Sequence, residues 1–228
     1  MYQLYIANKN YSSWSLRPWV LLHQLGVPFA EQLHQFPADP ASRAFFAFSP
    51  TGKVPCLHDD GTVIYDSLAI AEYLAELHTG VWPDDPAARA WARCVCAEMH
   101  SGFNALRNSC GMNCGIRVRL NGFSSALQAD LDRLDEVWAE GLDRFGGPFL
   151  GGSTFTAVDA FFAPVAFRVQ SYAPPLADRS LSYVRRLLAL PSMQRWYADA
   201  LRETWRDPLH EADIAKSGTL IEDHRLRN

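Results

Sequence analysis

Lys53 to His78 reads KVPCLHDDGTVIYDSLAIAEYLAELH, and this stretch decides the fold. Asp59-Asp60-Gly61 parts two short β-prone runs, a strong hairpin signal. From Ser67 onward the period changes. Leu68, Ile70, Ala71, Leu74 and Leu77 fall on one side of a helix. A hairpin that feeds directly into an amphipathic helix predicts the antiparallel end of a small sheet with a helix laid over it.

Upstream, YQLYIA (Tyr2 to Ala7) predicts a buried first strand. The turn NYSSWS leads into SLRPWVLLHQLG, where Leu16, Trp19, Val20 and Leu22 have helical spacing and Gly26 marks the stop. Pro18 is expected in the first turn, where a missing N–H costs little. PFAEQLHQF predicts a second strand, and PASRAFFAFSP a short helix closed by Ser49-Pro50-Thr51-Gly52. Residues 1–79 thus read β-α-β-α-β-β-α, a small α/β unit.

Residues 80–86, with Gly80, Pro83 and Pro86, read as a linker. Residues 87–228 read as an all-helical domain. Long helices are predicted from about Ala87 to Asn108, Ser124 to Arg144, Thr156 to Tyr172 and Ser180 to Trp205. Thr156 and Asp159 in TAVD form a reciprocal capping pair, and Pro164 falls inside the helix they open. The tail KSGTLIEDHRLRN is expected to extend from the last helix or to fray.

The 228 residues carry a net charge of −4, and the basic residues are scattered, so no nucleic-acid partner is expected. No apolar run is long enough to cross a bilayer, so no membrane partner is expected either. The N-terminus lacks a signal-peptide pattern, and a cytoplasmic location is expected. Five cysteines, an odd number, argue against a disulfide framework. Cys110 and Cys114, with His100 nearby, match no standard zinc spacing, so no metal is expected and the thiols read as small hydrophobes.

The β-α-β-α-β-β-α unit, the proline-bearing linker and the helical second half together resemble the soluble glutathione transferases. Four stretches carry the resemblance in order along nearly the whole chain: YSSWSLRPW, TGKVPCL, YDSLAIAEYL and TAVDAFF. Within that family SSWSLRPW is most similar to the zeta type, whose SSCS pattern precedes an Arg; here Trp14 stands in place of the Cys. The resemblance implies a thioredoxin-like N-terminal domain, an all-α C-terminal domain, glutathione as co-substrate and a homodimer.

It also implies site residues. Glutathione's thiol has an ordinary pKa of about 8.5, so its use at neutral pH needs a thiolate stabilised by a hydroxyl and by the positive end of a helix. Ser12 matches the zeta catalytic serine, Ser15 is the second candidate and Ser13 the third; Ser13 or Ser15 also reads as a plain helix cap. Arg17 either supports the active site or makes a surface or interdomain salt bridge. Val54-Pro55 is implied to be cis, offering the Val54 backbone to the cysteinyl part of glutathione, with Lys53 facing a carboxylate. Asp66 is matched to the γ-glutamyl ammonium, and Ser67 is expected to cap the helix that binds the γ-glutamyl carboxylate.

Cys96, His100, Asn104 and Arg107 fall on one stripe of the first long helix. His100, Asn104 and Arg107 are the candidate contacts for a polar or acidic electrophile, against a solvated or dimer-facing stripe. Arg168 lies about a turn earlier, relative to Pro164, than the Arg serving the acid substrate of zeta members, which argues against an isomerase of the maleylacetoacetate type. The expected activity is addition of glutathione to an electrophilic small molecule. Its alternatives are a zeta-like isomerase of an unsaturated acid and a non-catalytic glutathione-binding regulator. The absence of cysteine between Met1 and Pro55 disfavours thiol transfer.

Overall fold

The computed structural model describes residues 1–39 and 41–226. Pro40, which opens the predicted short helix, and the last two residues of the tail lie outside the described part. The N-terminal layer is a four-stranded sheet of β1 (Tyr2–Ala7), β2 (Phe29–His34), β3 (Cys56–Asp59) and β4 (Thr62–Tyr65), in the order β2-β1-β3-β4. β1 and β2 are parallel, with Tyr2 opposite Phe29, and are joined by the crossover helix α1 (Ser13–Leu25). β3 and β4 form the expected hairpin, with Asp60 and Gly61 both at positive φ in its turn. α2 (Ser67–Leu77) then covers the sheet.

α1 is anchored by the apolar residues its spacing singled out. Leu16, Trp19, Val20 and Leu22 are fully buried, each worth about 1.5–3 kcal/mol of burial. The helix ends at Gly26, at φ 67. Because it begins at Ser13, Pro18 sits in the second turn rather than the first. The predicted short helix is a single 3-10 turn, Ala44–Ala47, held down by buried Phe45.

The second layer is helical: α3 (Pro86–Ser101), α4 (Asn104–Ser109), α5 (Ser125–Arg144), α6 (Ala157–Tyr172), α7 (Asp178–Leu188), α8 (Pro191–Arg202) and α9 (Pro208–Ser217). α6 is buried along nearly its whole length and packs against α1, α3 and α7, so one apolar core runs through both layers.

Three boundaries differ from expectation. The helix predicted over 87–108 is two helices, parted at Gly102 and at Phe103, whose φ is 56. An apolar stripe that continues in phase across Gly102 hid the break. The helix predicted over 180–205 is also two, because Pro191 has no N–H to donate and instead begins α8. Finally, after Lys216 and Ser217, which end α9, the described tail continues as a strand rather than fraying. β6 (Gly218–Asp223) pairs antiparallel with β5 (Ile116–Leu120), adding a two-stranded ribbon to the helical domain.

Asp159, at the start of α6, is fully buried. One of its oxygens accepts from the Leu150 N–H (3.0 Å) and the Tyr183 hydroxyl (2.8 Å), the other from the Thr156 N–H (3.0 Å). The capping pair read from TAVD is therefore also the knot that ties α6 to α7 and to the preceding loop. Burial is the main cause that pushes the Asp159 carboxyl up to about 6, against the lowering effect of its donors.

Candidate active site between the sheet and the helices

A cavity of about 1300 Å³ lies between the two layers. That exceeds the usual small-molecule pocket of about 300–1000 Å³ and leaves room for two ligands. Three loops of the sheet domain converge on it: the serine turn before α1, the turn before β3, and the turn between β4 and α2. Ser12, Ser13, Lys53, Val54, Pro55, Asp66 and Ser67 all line it.

Ser12 is the N-cap residue of α1 but makes no side-chain capping bond. The Ser13 N–H donates to the Tyr11 carbonyl at 2.9 Å, and the positive end of α1 lies at Ser12 and Ser13, which line the cavity. Ser12 Oγ donates to Ser15 Oγ at 2.7 Å, and Ser15 Oγ accepts from the Ala7 N–H at 3.3 Å. Ser15 is fully buried behind Ser12 and is not part of the lining. Ser13 faces the cavity and accepts from the Arg168 guanidinium at 3.4 Å.

The Val54–Pro55 peptide is cis. Exposed Lys53 makes no ion pair among the described residues. Asp66, not Ser67, caps α2: its Oδ1 accepts from the Leu68 N–H at 2.9 Å. The reason is its unusual backbone, φ 76 and ψ 137, which turns the carboxylate back over the helix end. The Ser67 hydroxyl, freed from capping, is buried and accepts from Arg17 at 3.2 Å.

Arginines stand at and behind the cavity wall: Arg107 and Arg168 line it, and Arg17 of α1 lies behind. Arg17 is 1 % exposed, its Nε has no hydrogen-bond partner among the described residues, and its guanidinium stacks between the rings of Trp14 (4.1 Å) and Phe161 (4.7 Å). Arg107 lies over the same Trp14 ring at 4.9 Å and donates to the carbonyls of Met99 and Gly102. Arg168 donates to the carbonyl of Cys110. Burial, reinforced by mutual repulsion, lowers Arg17 to about 9 and Arg168 to about 10, and burial also lowers Arg107. None of the three forms an ion pair with a carboxylate among the described residues. Asp66 near Arg17 and Asp130 near Arg107 offset part of their charge, and Arg107 and Arg168 give this side of the cavity a positive character suited to an anion.

Of the stripe on the first long helix, Arg107 reaches the cavity. His100 packs edge-on against Trp14 with its Nδ1 3.6 Å from Asp66, and Asn104 is exposed beyond the break at Gly102; neither is among the lining side chains. Arg17 lies behind the lining, in contact with Trp14 and Ser67. Cys56, Cys96, Cys110 and Cys114 are buried and Cys94 is exposed, all unpaired; burial raises the thiols of the four buried ones.

The model of the N-terminal domain of glutathione S-transferases matches residues 11–77, and that of the C-terminal domain matches residues 118–199. The chain belongs to the glutathione S-transferase family. A probable maleylacetoacetate isomerase of Caenorhabditis elegans is 35% identical over 107 residues, which cover 46% of this chain and about half, 49%, of that protein. The glutathione S-transferase-like protein OpS6 of Beauveria bassiana is 26% identical over 215 residues, 88% of this chain and 90% of that one. A glutathione transferase homolog from Burkholderia gl BGR1, solved with bound glutathione, superposes with a TM-score of 0.65 at 25% identity, covering 87% of this chain and 97% of that one.

In this family member the sequence pointed to the three converging turns on the sheet side of the cavity but missed residues on both sides. Tyr11, Phe36 and His210 also line it. His210 lies three residues after the N-cap Asp207, in Asp207-Pro208-Leu209-His210, and that helix-start pattern is the signal that would have drawn attention to it.

Proposed function

We propose that the protein binds glutathione in this cavity, ionises its thiol beside the Ser12 hydroxyl and adds the thiolate to an electrophilic small molecule. The observation that carries this reading is the convergence of Ser12, at an uncapped helix N-terminus, with the cis Val54–Pro55 turn and the Asp66-Ser67 turn on one cavity. The Val54 backbone, which has no hydrogen-bond partner among the described residues, pairs with the cysteinyl backbone of glutathione. Lys53 faces a carboxylate, Asp66 the γ-glutamyl ammonium, and the Ser67 end of α2 the γ-glutamyl carboxylate. Ser12 donates to sulfur by releasing its bond to Ser15, and Ser13, polarised by Arg168, assists. Arg17 supports the site's positive field from behind. Arg107 serves the second substrate, with His100 and Asn104 flanking it through Trp14 and α4.

A second reading, a glutathione-dependent isomerase of an unsaturated acid, is favoured by Arg107 and Arg168 on the cavity wall, neither ion-paired among the described residues. Unpaired cysteines support a reducing, cytoplasmic compartment, with detoxification as the role. Exposed Phe46 and Val63 on the sheet domain support a homodimer.

The test is a titration of thiolate absorbance with glutathione bound to wild type, Ser12→Ala and Ser13→Ala. Wild type should hold the thiol well below about 8.5, and Ser12→Ala should raise it by about 1–2 units, the value of a hydrogen bond to a charged group. Tight binding with an unshifted thiol would refute the catalytic reading. A rise only in Ser13→Ala would move the role to Ser13.

A further inference from the structure

Beside the serine turn the cavity lining includes an acid–imidazole pair outside the machinery described so far. Asp207 is buried, and its Oδ2 accepts both the His210 N–H (3.0 Å) and His210 Nδ1 (2.6 Å). One carboxylate oxygen therefore caps α9 and also fixes the ring. The faces of the imidazole are covered by the Tyr11 ring, with centroids 5.1 Å apart at 28°, and by the Phe36 ring, at 5.1 Å and 35°. One edge of the ring holds Nδ1 against Asp207. The other carries Nε2, which has no hydrogen-bond partner among the described residues. The side chain is 39% exposed and lines the same cavity as Ser12 and Ser13.

A residue serving only as part of a helix cap needs its backbone N–H alone. Here the imidazole is oriented by a carboxylate, clamped by two aromatic rings and left with one free nitrogen at the cavity. We propose that His210 is the general acid toward the second substrate, and that this substrate is an α,β-unsaturated carbonyl compound. The proposal rests on the transferase reading above.

In the protonated ring, one N–H goes to Asp207 and the other, on Nε2, to the carbonyl oxygen of the acceptor. The thiolate's lone pair forms the S–C bond at the β-carbon. The C=C π pair becomes the new bond between the α-carbon and the carbonyl carbon, and the C=O π pair moves onto oxygen. That oxygen takes the Nε2 proton, giving an enol that tautomerises to the saturated carbonyl adduct. The ring is left neutral and regains a proton from solvent, replacing the one glutathione's thiol released on binding. The charged or titratable groups facing the ring are Asp207 on its own helix and Tyr11, backed by Glu211 and Arg225. Asp213 and Lys216, further along α9, line the same cavity.

The experiment compares kcat/KM for an enone with that for 1-chloro-2,4-dinitrobenzene, whose substitution expels chloride and needs no proton from the protein. His210→Ala should lower the enone-to-aryl-halide ratio about 100-fold, as expected for loss of a general acid. Free imidazole should restore much of the enone rate. His210→Gln, which keeps a hydrogen-bond donor, should recover enone KM but not kcat. A ratio unchanged from wild type, or a variant not rescued by imidazole, would overturn the assignment. A wild-type protein that turns over the aryl halide but no enone would overturn it while leaving the transferase reading intact. Turnover of neither would overturn both.

Discussion

Asp159→Ala should be among the most damaging single substitutions in the chain, by an amount that depends on pH. It strips an acceptor from the Leu150 N–H, the Thr156 N–H and the Tyr183 hydroxyl, all buried around a fully buried side chain. An orphaned buried donor costs about 1–3 kcal/mol, so the three together, partly relaxed, cost on the order of 4 kcal/mol. For a domain of this size that is a drop in Tm of about 8–16 °C. The pH term has the opposite sign from the usual carboxylate. The folded carboxyl is raised to about 6 from its ordinary 3.8, mainly by desolvation. The folded state therefore holds this proton more tightly than the unfolded chain does. The group's contribution is complete below about pH 4 and is lost as pH rises through about 6, a change of about 3 kcal/mol. Urea unfolding of wild type and Asp159→Ala at several pH values between 4 and 7.5 measures the difference directly, because other titrating groups cancel. The gap should be widest at the acid end and narrow by about 2–3 kcal/mol toward neutrality. A gap that is constant or widens with pH would mean that the donors outweigh burial and that the carboxylate is charged throughout. A loss below about 1 kcal/mol at every pH would refute the knot itself.

Arg17→Met removes a buried guanidinium that has no carboxylate partner; stability should stay within about 1 kcal/mol of wild type or rise, while glutathione affinity by calorimetry falls about tenfold. Glu203→Ala takes the acceptor from the backbone N–H groups of Lys9 (2.6 Å) and Asn10 (3.1 Å), which lead into the serine turn; about 2–4 kcal/mol should be lost in chemical denaturation, and glutathione KM should rise because that turn loosens. Gly218→Ala places a methyl group on the Arg119 carbonyl oxygen across the ribbon; backbone cannot give way cheaply, so β5–β6 amides should lose hydrogen-exchange protection while those of β1–β4 keep it.

The N-terminal half was legible because its signals are local. A two-residue turn, a helix stop at Gly26 and an apolar stripe are each read within a few residues, and the pairing of neighbouring elements follows from short connections. The ribbon was not legible for the opposite reason. Ile116–Leu120 and Gly218–Asp223 are far apart in the chain, and their pairing depends on helices packed between them. Ile116 and Val118 alternate with arginines, a strand pattern visible only once a partner is sought. The site divided in the same way. Ser12, Val54-Pro55 and Asp66-Ser67 stand on turns beside predictable elements. Arg168 reaches Ser13, and His210 reaches Tyr11, only through tertiary packing. Where local chemistry misled, one geometric detail decided: the positive φ of Asp66 handed it the cap that composition alone gives equally to Ser67.

Trp14, in the serine turn, has one more consequence. Among the described residues it is the tryptophan that lines the cavity, and its ring lies between the guanidiniums of Arg17 and Arg107. An indole held against two cations emits according to the field it feels. An anionic guest brought alongside would partly cancel that field. The other tryptophans report a constant background, and Trp14→Phe supplies the subtraction. The protein thus carries its own optical gauge of occupancy, readable without a label or a turnover substrate.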